Sequence, residues 1–491
     1  MLKQILNIIL IVFTLITTSK LKGQEITFKQ NDGTYSEATE LNQKANGYKG
    51  IWYMNQPSHD EYVYKYSGGL ATYTAKHRPF AIYAEPVDKT FFCFGGTDAK
   101  NSTLFHNVSY YDHKTGKVDN PTSILDKQTT DAHDNPVISM DDKGYIWIFS
   151  TSHGTSRPSY MHKSTEPFSI NKFEKINATE MVDGERQPFD NFSYFQVYFV
   201  KGQGFFAFFT KYENKTGNRV IGFNTSKDGQ QWNEWQVIAH IDEGHYGISA
   251  ENQGLISIAF NYHPKGIGLN YRTNLYYMET SDFGKTWRTV TNEEIILPVT
   301  EIDNLALVKD YRSIELNCYL KDLNYDENGN PVILVVSSKG YQSGPVNDPR
   351  TWEIFSFQDG WDQNKVTISD NNYDMGSLYI DSDGTWKIIG PTGSGPQKYN
   401  PGGEIEMWVS NDKGKNWERS KTLTSNSTRN HTYVRRPINA QPDFYGIWAD
   451  GHGRKPSKSQ LYYCNREGDV FLLPAKMNNK EIKLRPLNPS E

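Results

Sequence analysis

The chain has 491 residues, a formal net charge of −5 and an aromatic content of 14%. The acidic balance excludes a general polyanion-binding protein, so recognition of an anionic sugar would need a local cluster of Arg, Lys and His. The three cysteines, Cys93, Cys318 and Cys464, are too few and too uneven in number for a disulfide framework. An aromatic-rich chain that is only 36% hydrophobic favours a β protein with a sugar-stacking surface.

The chain begins with a pattern typical of a secretory signal. Lys3 supplies a positive charge, and the apolar run that follows is too short to span a membrane comfortably. We therefore predict a signal peptide at residues 1–23, an N-terminal segment at 24–46 and one catalytic domain at 47–491. The mature protein should be periplasmic or secreted, without a membrane span, and monomeric.

Residues 131–154 predict a β-hairpin with a histidine at each end. Strands at 137–140 and 145–150 flank an Asp/Lys/Gly turn, and they are rich in β-branched and aromatic residues. His133 precedes the first strand and His153 follows the second, so the hairpin should place them side by side. Two imidazoles next to carboxylates indicate acid/base chemistry or metal binding, whereas a single one would more simply hydrogen-bond a strand end.

Internal repeats predict the architecture. Residues 280–287 and 410–417 fit the Asp-box pattern S/T-x-D-x-G-x-x-W, and residues 225–232 are a variant of it. Tryptophans recur at spacings of 55, 65 and 65 residues, namely at Trp232, Trp287, Trp352 and Trp417. Each interval fits one four-stranded antiparallel blade, so we predict an all-β, seven-bladed β-propeller. A tandem of β-sandwiches would not explain this spacing.

Aligning the repeats on their turn glycines predicts which side chains share a face. His153 and His263 each follow a turn glycine by nine residues, and His77 belongs to a His-x-Pro entry like that of His133. Equivalent positions of successive blades form a ring around the propeller axis, where ligands commonly bind. Other members expected on this face are Tyr198, Tyr246, Tyr262, Arg219 and Arg272.

These residues resemble a known group. The segments 131–136, 150–154 and 260–266 are similar to the BNR-4 type seven-bladed propellers, which include ulvan lyases of polysaccharide lyase families 24 and 25. The resemblance implies a site of two His, two Tyr and one Arg. By motif and spacing these residues are His133, His153, Tyr198, Arg219 and Tyr262, with Tyr194 as the rival of Tyr198 and Tyr246 as the rival of Tyr262.

The alignment of the repeats predicts further substrate-binding residues, and the resemblance bears on cofactors. His263, Arg272 and His77 join the tyrosines as predicted substrate-binding residues. No cofactor is expected for catalysis, although some relatives hold a structural zinc. His245, His263 and Cys318 are candidate zinc ligands, but their spacing is not diagnostic.

The implied chemistry is β-elimination at a uronic acid of an ulvan-type sulfated poly- or oligosaccharide, with no role in nucleic-acid binding. Arg219 would neutralise the uronate carboxylate, with a second hydrogen bond from His133. His153 or Tyr198 would remove the C5 proton, Tyr198 would protonate the leaving oxygen, and Tyr262 would orient the sugar. The enzyme would be an ulvan lyase if it expels the 4-linked sugar. It would be an oligosaccharide dehydratase if it expels water from a chain-end uronate.

Two other functions stay open on sequence grounds. A related propeller is an α-L-rhamnosidase with a Gln-His pair, but the matching place here is Lys76-His77. No recognisable carboxylate pair for the usual hydrolytic scheme is present. A non-catalytic sugar-binding propeller would keep the aromatic residues and Arg without needing both His and Tyr.

Overall fold

The computed structural model describes residues 37–155, 157–212 and 219–487. The predicted signal peptide, 1–23, lies outside the described residues, as does most of segment 24–46, so these boundaries stay predictions. Within the described ranges no helix is long and apolar enough to cross a membrane. The helical elements there are short 3-10 turns: Glu85–Val87, Ala132–Asp134, Arg312–Ile314 and Pro345–Asn347.

Strands make up the rest of the regular structure. The first are β1 (Thr39–Lys44), β2 (Trp52–Pro57), β3 (Tyr64–Gly69), β4 (Ala81–Ala84), β5 (Lys89–Thr97), β6 (Leu104–Asp112), β7 (Lys117–Asp119) and β8 (Thr122–Asp126). Next come β9 (Pro136–Met140), β10 (Ile146–Ser150), β11 (Tyr160–Ser164) and β12 (Phe173–Ile176). The following group is β13 (Thr179–Val182), β14 (Glu185–Pro188), β15 (Ser193–Val200), β16 (Gly204–Tyr212), β17 (Arg219–Ser226), β18 (Gln231–Glu234) and β19 (Gln236–Ala239).

The second half of the chain continues in the same manner. Its first strands are β20 (His245–Asn252), β21 (Leu255–Tyr262), β22 (Thr273–Thr280), β23 (Trp287–Arg288), β24 (Glu294–Ile295) and β25 (Leu307–Lys309). Then follow β26 (Asn317–Tyr325), β27 (Pro331–Ser338), β28 (Arg350–Phe357), β29 (Trp361–Ser369), β30 (Ser377–Ile380), β31 (Trp386–Gly393), β32 (Glu404–Ser410) and β33 (Glu418–Thr422). The last are β34 (Asn430–Arg435), β35 (Gly446–Gly451), β36 (Leu461–Cys464), β37 (Val470–Leu473) and β38 (Glu481–Lys483).

The described strands form an all-β propeller, but they do not form seven equal blades. Five sheets are antiparallel meanders with strands in chain order: β9–β12, β20–β24, β26–β29, β30–β33 and β34–β37. Two further sheets contain seven strands each, and β2 and β3 form a separate hairpin. The structure therefore has a ring with five regular blades, and the prediction of seven four-stranded blades is wrong.

The irregular sheets arise from pairings that a repeat pattern does not encode. The first sheet recruits β1 and β38, which come from opposite ends of the described chain. In the other large sheet β13 pairs in parallel with β18, and β19 pairs with β17. Turn motifs and Trp spacing report where strands end, whereas strand partners depend on contacts between distant segments.

The Asp-box motifs form the turns expected of them. Asp282 Oδ1 accepts a hydrogen bond from the Thr286 backbone at 2.9 Å, and Asp412 accepts the equivalent bond from Asn416 at 2.9 Å. Trp232 and Trp352 are fully buried in the cores next to their sheets. Burying a side chain of this size contributes about 3 kcal/mol, which explains why these tryptophans recur with the blade period.

The hairpin predicted from residues 131–154 is present, with β9 and β10 as its strands. The register pairs Ser150 with Pro136, so the residues flanking this pair lie at the same end of the sheet. Asp141 Oδ1 accepts the Tyr145 backbone N–H at 2.9 Å and so closes the turn. This register places the loops that carry His133 and His153 next to each other.

Candidate active site

Asp131 holds both histidines of the hairpin. Its Oδ1 lies 2.6 Å from His133 Nδ1, and its Oδ2 lies 2.8 Å from His153 Nδ1. The two imidazole rings stack with centroids 3.8 Å apart. Burial alone would raise the pKa of Asp131, but the charges and hydrogen bonds of both histidines hold it well below its usual range. An ionised carboxylate therefore fixes two imidazoles with their Nδ1 atoms as donors.

His133 is the inner member of this pair. Its Nε2 lies 2.8 Å from the hydroxyl groups of both Tyr66 and Tyr73, and Tyr73 donates to Tyr66 at 2.8 Å. Burial, with the neighbouring charge of His153, lowers the pKa of His133 to about 4. The ring is therefore neutral near pH 7, and its Nε2 accepts a hydrogen bond from a tyrosine hydroxyl.

His153 is the outer member, because 31% of its side chain is exposed whereas only 4% of that of His133 is. A ligand that enters from solvent therefore reaches His153 first. Asp131 also accepts a hydrogen bond from Arg157 Nη2 at 3.1 Å. The same guanidinium group donates two hydrogen bonds to the Asp134 carboxylate, from Nε at 2.8 Å and from Nη2 at 3.0 Å. This charge network keeps the Asp131 carboxylate in one position beneath both rings.

Tyr194 enters the site on a β-bulge. The pairing of β15 with β16 shifts register between Ser193 and Gln196, and Tyr194 has a φ of 54°. A bulge re-aims the side chain that it carries. The Tyr194 ring lies 6.3 Å from the His133 ring and 5.3 Å from the Tyr246 ring, measured between centroids.

Two arginines face these phenol rings. Arg219 donates from Nη1 to the Tyr246 hydroxyl, and its Cζ lies 5.9 Å from the Tyr194 ring centroid. Arg272 Cζ lies 4.4 Å from the Tyr246 centroid. Burial raises the pKa of Tyr194, while Arg219 and Arg272 act in the opposite direction. The pair of cations therefore stabilises negative charge at this place, whether on a phenol or on a ligand.

Lys65, on β3, adds a third cation that the sequence analysis missed. Its Nζ lies 6.0 Å from the Tyr373 ring centroid, and Arg272 Cζ lies 5.6 Å from the same centroid. Burial, together with the charges of Arg272 and Arg219, lowers the pKa of Lys65 to about 7. Tyr66 and Tyr73 were also missed, and the signal that could have found them is the dense run of tyrosines from Tyr62 to Tyr73.

Two predicted residues lie outside this cluster. The Tyr198 hydroxyl donates to the Ser249 carbonyl at 2.8 Å, on the neighbouring strand β20 and away from the histidine loops. Tyr262 is fully buried in a blade core, where its ring lies 6.4 Å from that of Tyr276. The alternative tyrosines, Tyr194 and Tyr246, are the ones that the structure places beside His133 and Arg219.

The remaining predicted histidines lie behind the cluster. The His263 ring lies 5.0 Å from that of Tyr246, and its Nδ1 faces the Tyr271 carbonyl at 2.9 Å. His77 is fully buried, 6.1 Å from the Tyr194 ring, and its carbonyl accepts a hydrogen bond from Arg435. Both rings therefore support the tyrosines, and His77 is not open to a sugar.

The cluster of Asp131, His133 and His153 does not fit a zinc site. Asp131, His133 and His153 bring their ligand atoms within 4.8 Å of one another, but the nitrogens and oxygens share protons at hydrogen-bond distance. Zinc, at about 2.0–2.1 Å from each nitrogen, would need unprotonated ligands and more space between them. The predicted ligand His245 uses both nitrogens in bonds with backbone groups, Nε2 with Ile241 at 2.8 Å and Nδ1 with Asn261 at 2.9 Å.

Comparison with known proteins finds lyases both among similar sequences and among similar structures. An ulvan lyase from Nonlabens ulvanivorans is 23% identical over 383 residues, which cover 73% of this chain and 78% of that protein. A PL25 ulvan lyase structure, also solved with -[GlcA(1-4)Rha3S]- bound, is 18% identical and aligns with a TM-score of 0.63 over 87% of this chain and 96% of that one. The polysaccharide lyase Uly1 aligns at 12% identity with a TM-score of 0.56, over 88% and 99% of the two chains.

These structural similarities show the propeller fold. Residues 90–389, more than half of the chain, match the model of the BNR repeat-containing family. This stretch includes the His133–His153 hairpin, Tyr194, Arg219 and Tyr246, so the match covers much of the candidate site. The chain is therefore a member of the BNR repeat-containing family.

Proposed function

We propose that the protein is a carbon–oxygen lyase that cleaves an ulvan-type anionic polysaccharide by β-elimination at a uronic acid. The observation that carries the proposal is the pairing of His133 and His153 on Asp131, opposite phenol rings flanked by Arg219 and Arg272. The ulvan lyase relative and the two lyase structures support the substrate class.

Elimination first requires the uronate charge to be neutralised, because the C5 proton is otherwise too weakly acidic. Arg219 and Arg272 are placed for this task, since both guanidinium groups lie against the Tyr246 ring. A guanidinium group matches a carboxylate in two parallel hydrogen bonds and keeps its charge at any working pH. The same groups would stabilise the enolate-like transition state.

Proton transfer needs groups that a ligand beside those cations can reach. We assign it to His153, the exposed member of the pair, and to Tyr194 or Tyr246 in place of Tyr198. Tyr198 donates its hydroxyl proton to the Ser249 carbonyl, whereas Tyr246 is bonded to Arg219. His133 acts as a neutral relay behind them, because its Nε2 faces tyrosine hydroxyls.

Two products remain consistent with this chemistry. Loss of the 4-linked sugar would make the protein an ulvan lyase, and loss of water from a chain-end uronate would make it an oligosaccharide dehydratase. We place chain cleavage first, since one related structure holds a glucuronate–rhamnose sulfate chain. Rhamnoside hydrolysis at Lys76-His77 receives no support, because both side chains are buried.

The test is incubation of the purified protein with ulvan, followed by the absorbance of the C4–C5 unsaturated uronate. Tyr194→Phe or Tyr246→Phe, whichever removes the proton-transfer group, should lower turnover by roughly 100-fold or more while it keeps the ring. Tyr198→Phe is the matched control and should retain most activity. Release of free rhamnose without unsaturated product would contradict the proposal, and binding without any product would favour a sugar-binding propeller.

A further inference from the structure

A small cavity in the channel at the centre of the propeller has an excess of positive charge. It is lined by Arg78, Arg435, Arg436, Lys321, Asp322 and Ser377. Arg78 reaches it from the segment before β4, and the other charged groups come from β26 and the end of β34. These residues belong to different sheets, so the charges meet only in the folded protein.

Asp322 cannot balance all three guanidinium groups. Its Oδ1 pairs with Arg78 Nη1 at 2.9 Å, and its Oδ2 lies 3.6 Å from Arg436 Nε. The same carboxylate also accepts the backbone N–H groups of Leu323 and Leu378, each at 2.8 Å. Its oxygens are therefore fully engaged.

Arg435 and Lys321 are the cations of this cavity that form no ion pair with a carboxylate among the described residues, and Lys321 Nζ donates instead to the Asn372 carbonyl at 2.6 Å. Only 5% of Arg435 is exposed, and its Nη2 donates to two neutral carbonyl groups, those of Thr74 at 2.6 Å and His77. Burial, with the charge of Arg78, lowers the pKa of Arg435 to about 9, so the group stays charged near neutral pH. Arg436 adds a buried Nε that lies 3.6 Å from Asp322 Oδ2, beyond hydrogen-bond distance.

Buried cations of this kind are costly unless an anion accompanies them. The cavity volume is about 20 Å³. A single water needs roughly 10–15 Å³ of such space. A monatomic ion fits that space. We propose that the channel cavity is a binding site for a halide, chloride under ordinary conditions, held by Arg78, Arg435 and Arg436.

This inference does not depend on the proposed enzyme activity, because none of the three arginines belongs to the candidate active site. A halide there would join segments of separate blades and would bind the folded chain only. Unfolding should then depend on halide concentration and not on ionic strength alone.

The direct test is bromide anomalous diffraction from crystals soaked in sodium bromide. A peak beside Arg435 and Arg436 is expected, and its absence from the cavity would overturn the proposal. In solution, chloride should raise Tm saturably by roughly 2–4 °C over gluconate at equal ionic strength. A sulfate-specific rise with no chloride effect would instead refute a halide site.

Variants connect the thermal effect with the cavity. Arg435→Met should abolish the chloride-dependent rise in Tm, because it removes an unbalanced charge. Arg419→Met is the control, since 55% of the Arg419 side chain is exposed, and it should keep the rise. An unchanged chloride effect in Arg435→Met would contradict the proposal, and the bromide experiment on the unaltered protein decides the matter if that variant fails to fold.

Discussion

Asp131→Asn is the substitution that most sharply tests how the site is held. The carboxylate accepts four hydrogen bonds, two from His133 and one each from His153 and Arg157. The amide offers one oxygen, and its NH2 group would face N–H donors at the other position. Two of the four bonds should therefore be lost. At about 1.5–3 kcal/mol for each bond to a charged group, the loss is about 3–6 kcal/mol.

Part of this loss should lower the stability of the fold, and part should lower turnover. Without the carboxylate, His153 can move its proton to Nε2, and the face open to substrate then presents a donor in place of an acceptor. We expect turnover on ulvan to fall by roughly 100-fold or more, with KM changed much less, because the cations that bind uronate are untouched. The assays are initial rates of unsaturated uronate formation and thermal unfolding of the same preparations.

Asp134→Asn is the matched control. Asp134 pairs with Arg157 and with Lys127 Nζ at 3.4 Å, but it has no bond with either imidazole. This variant should lose stability while it keeps most of its turnover. Near-normal turnover in Asp131→Asn, or equal losses of turnover in both variants, would refute the reasoning that Asp131 sets the histidine tautomers.

Three further predictions concern charge. Arg219→Lys should cut turnover by about 10-fold or more in steady-state assays, because the point charge of Lys cannot form two parallel hydrogen bonds with a carboxylate. Unchanged rates would mean that Arg272 neutralises the uronate instead. The KM for anionic substrate should rise as pH increases through about 7, where Lys65 loses its charge, and Lys65→Arg should flatten this profile. The free energy of unfolding should decrease as pH falls from 6.5 to about 4. In this range His133 is protonated in the unfolded chain but stays neutral in the folded protein. Denaturant titrations should show a shallower pH dependence in His133→Gln, and an equal slope would contradict this account.

The sequence predicted the part of the site that depends on local structure. The hairpin between His133 and His153 follows from a turn motif and two β-branched runs, and its register alone places the imidazoles together. Asp131, although next to His133 in the chain, could be identified as the shared acceptor only from coordinates.

Contacts between distant segments could not be predicted in this way. Tyr194 was named as the rival of Tyr198, and its place beside His133 depends on a bulge in β15 that has no clear sequence signature. Lys65 and Tyr66 come from a hairpin about 70 residues before the histidines, outside the blade repeat. The predicted number of blades was wrong for the same reason, because β1 and β38 come from opposite ends of the described chain and join one sheet.

The most direct test of the central claim is the fate of water during the reaction. Elimination breaks the C4–O bond of the uronate without adding water, whereas hydrolysis inserts one water oxygen into the products. Digestion of ulvan in ¹⁸O-labelled water, followed by mass spectrometry, separates the two. We expect oligosaccharides that end in an unsaturated uronate and carry no label from the cleavage step. Products that lack the unsaturated uronate and gain the mass of one water at each cleavage would contradict elimination.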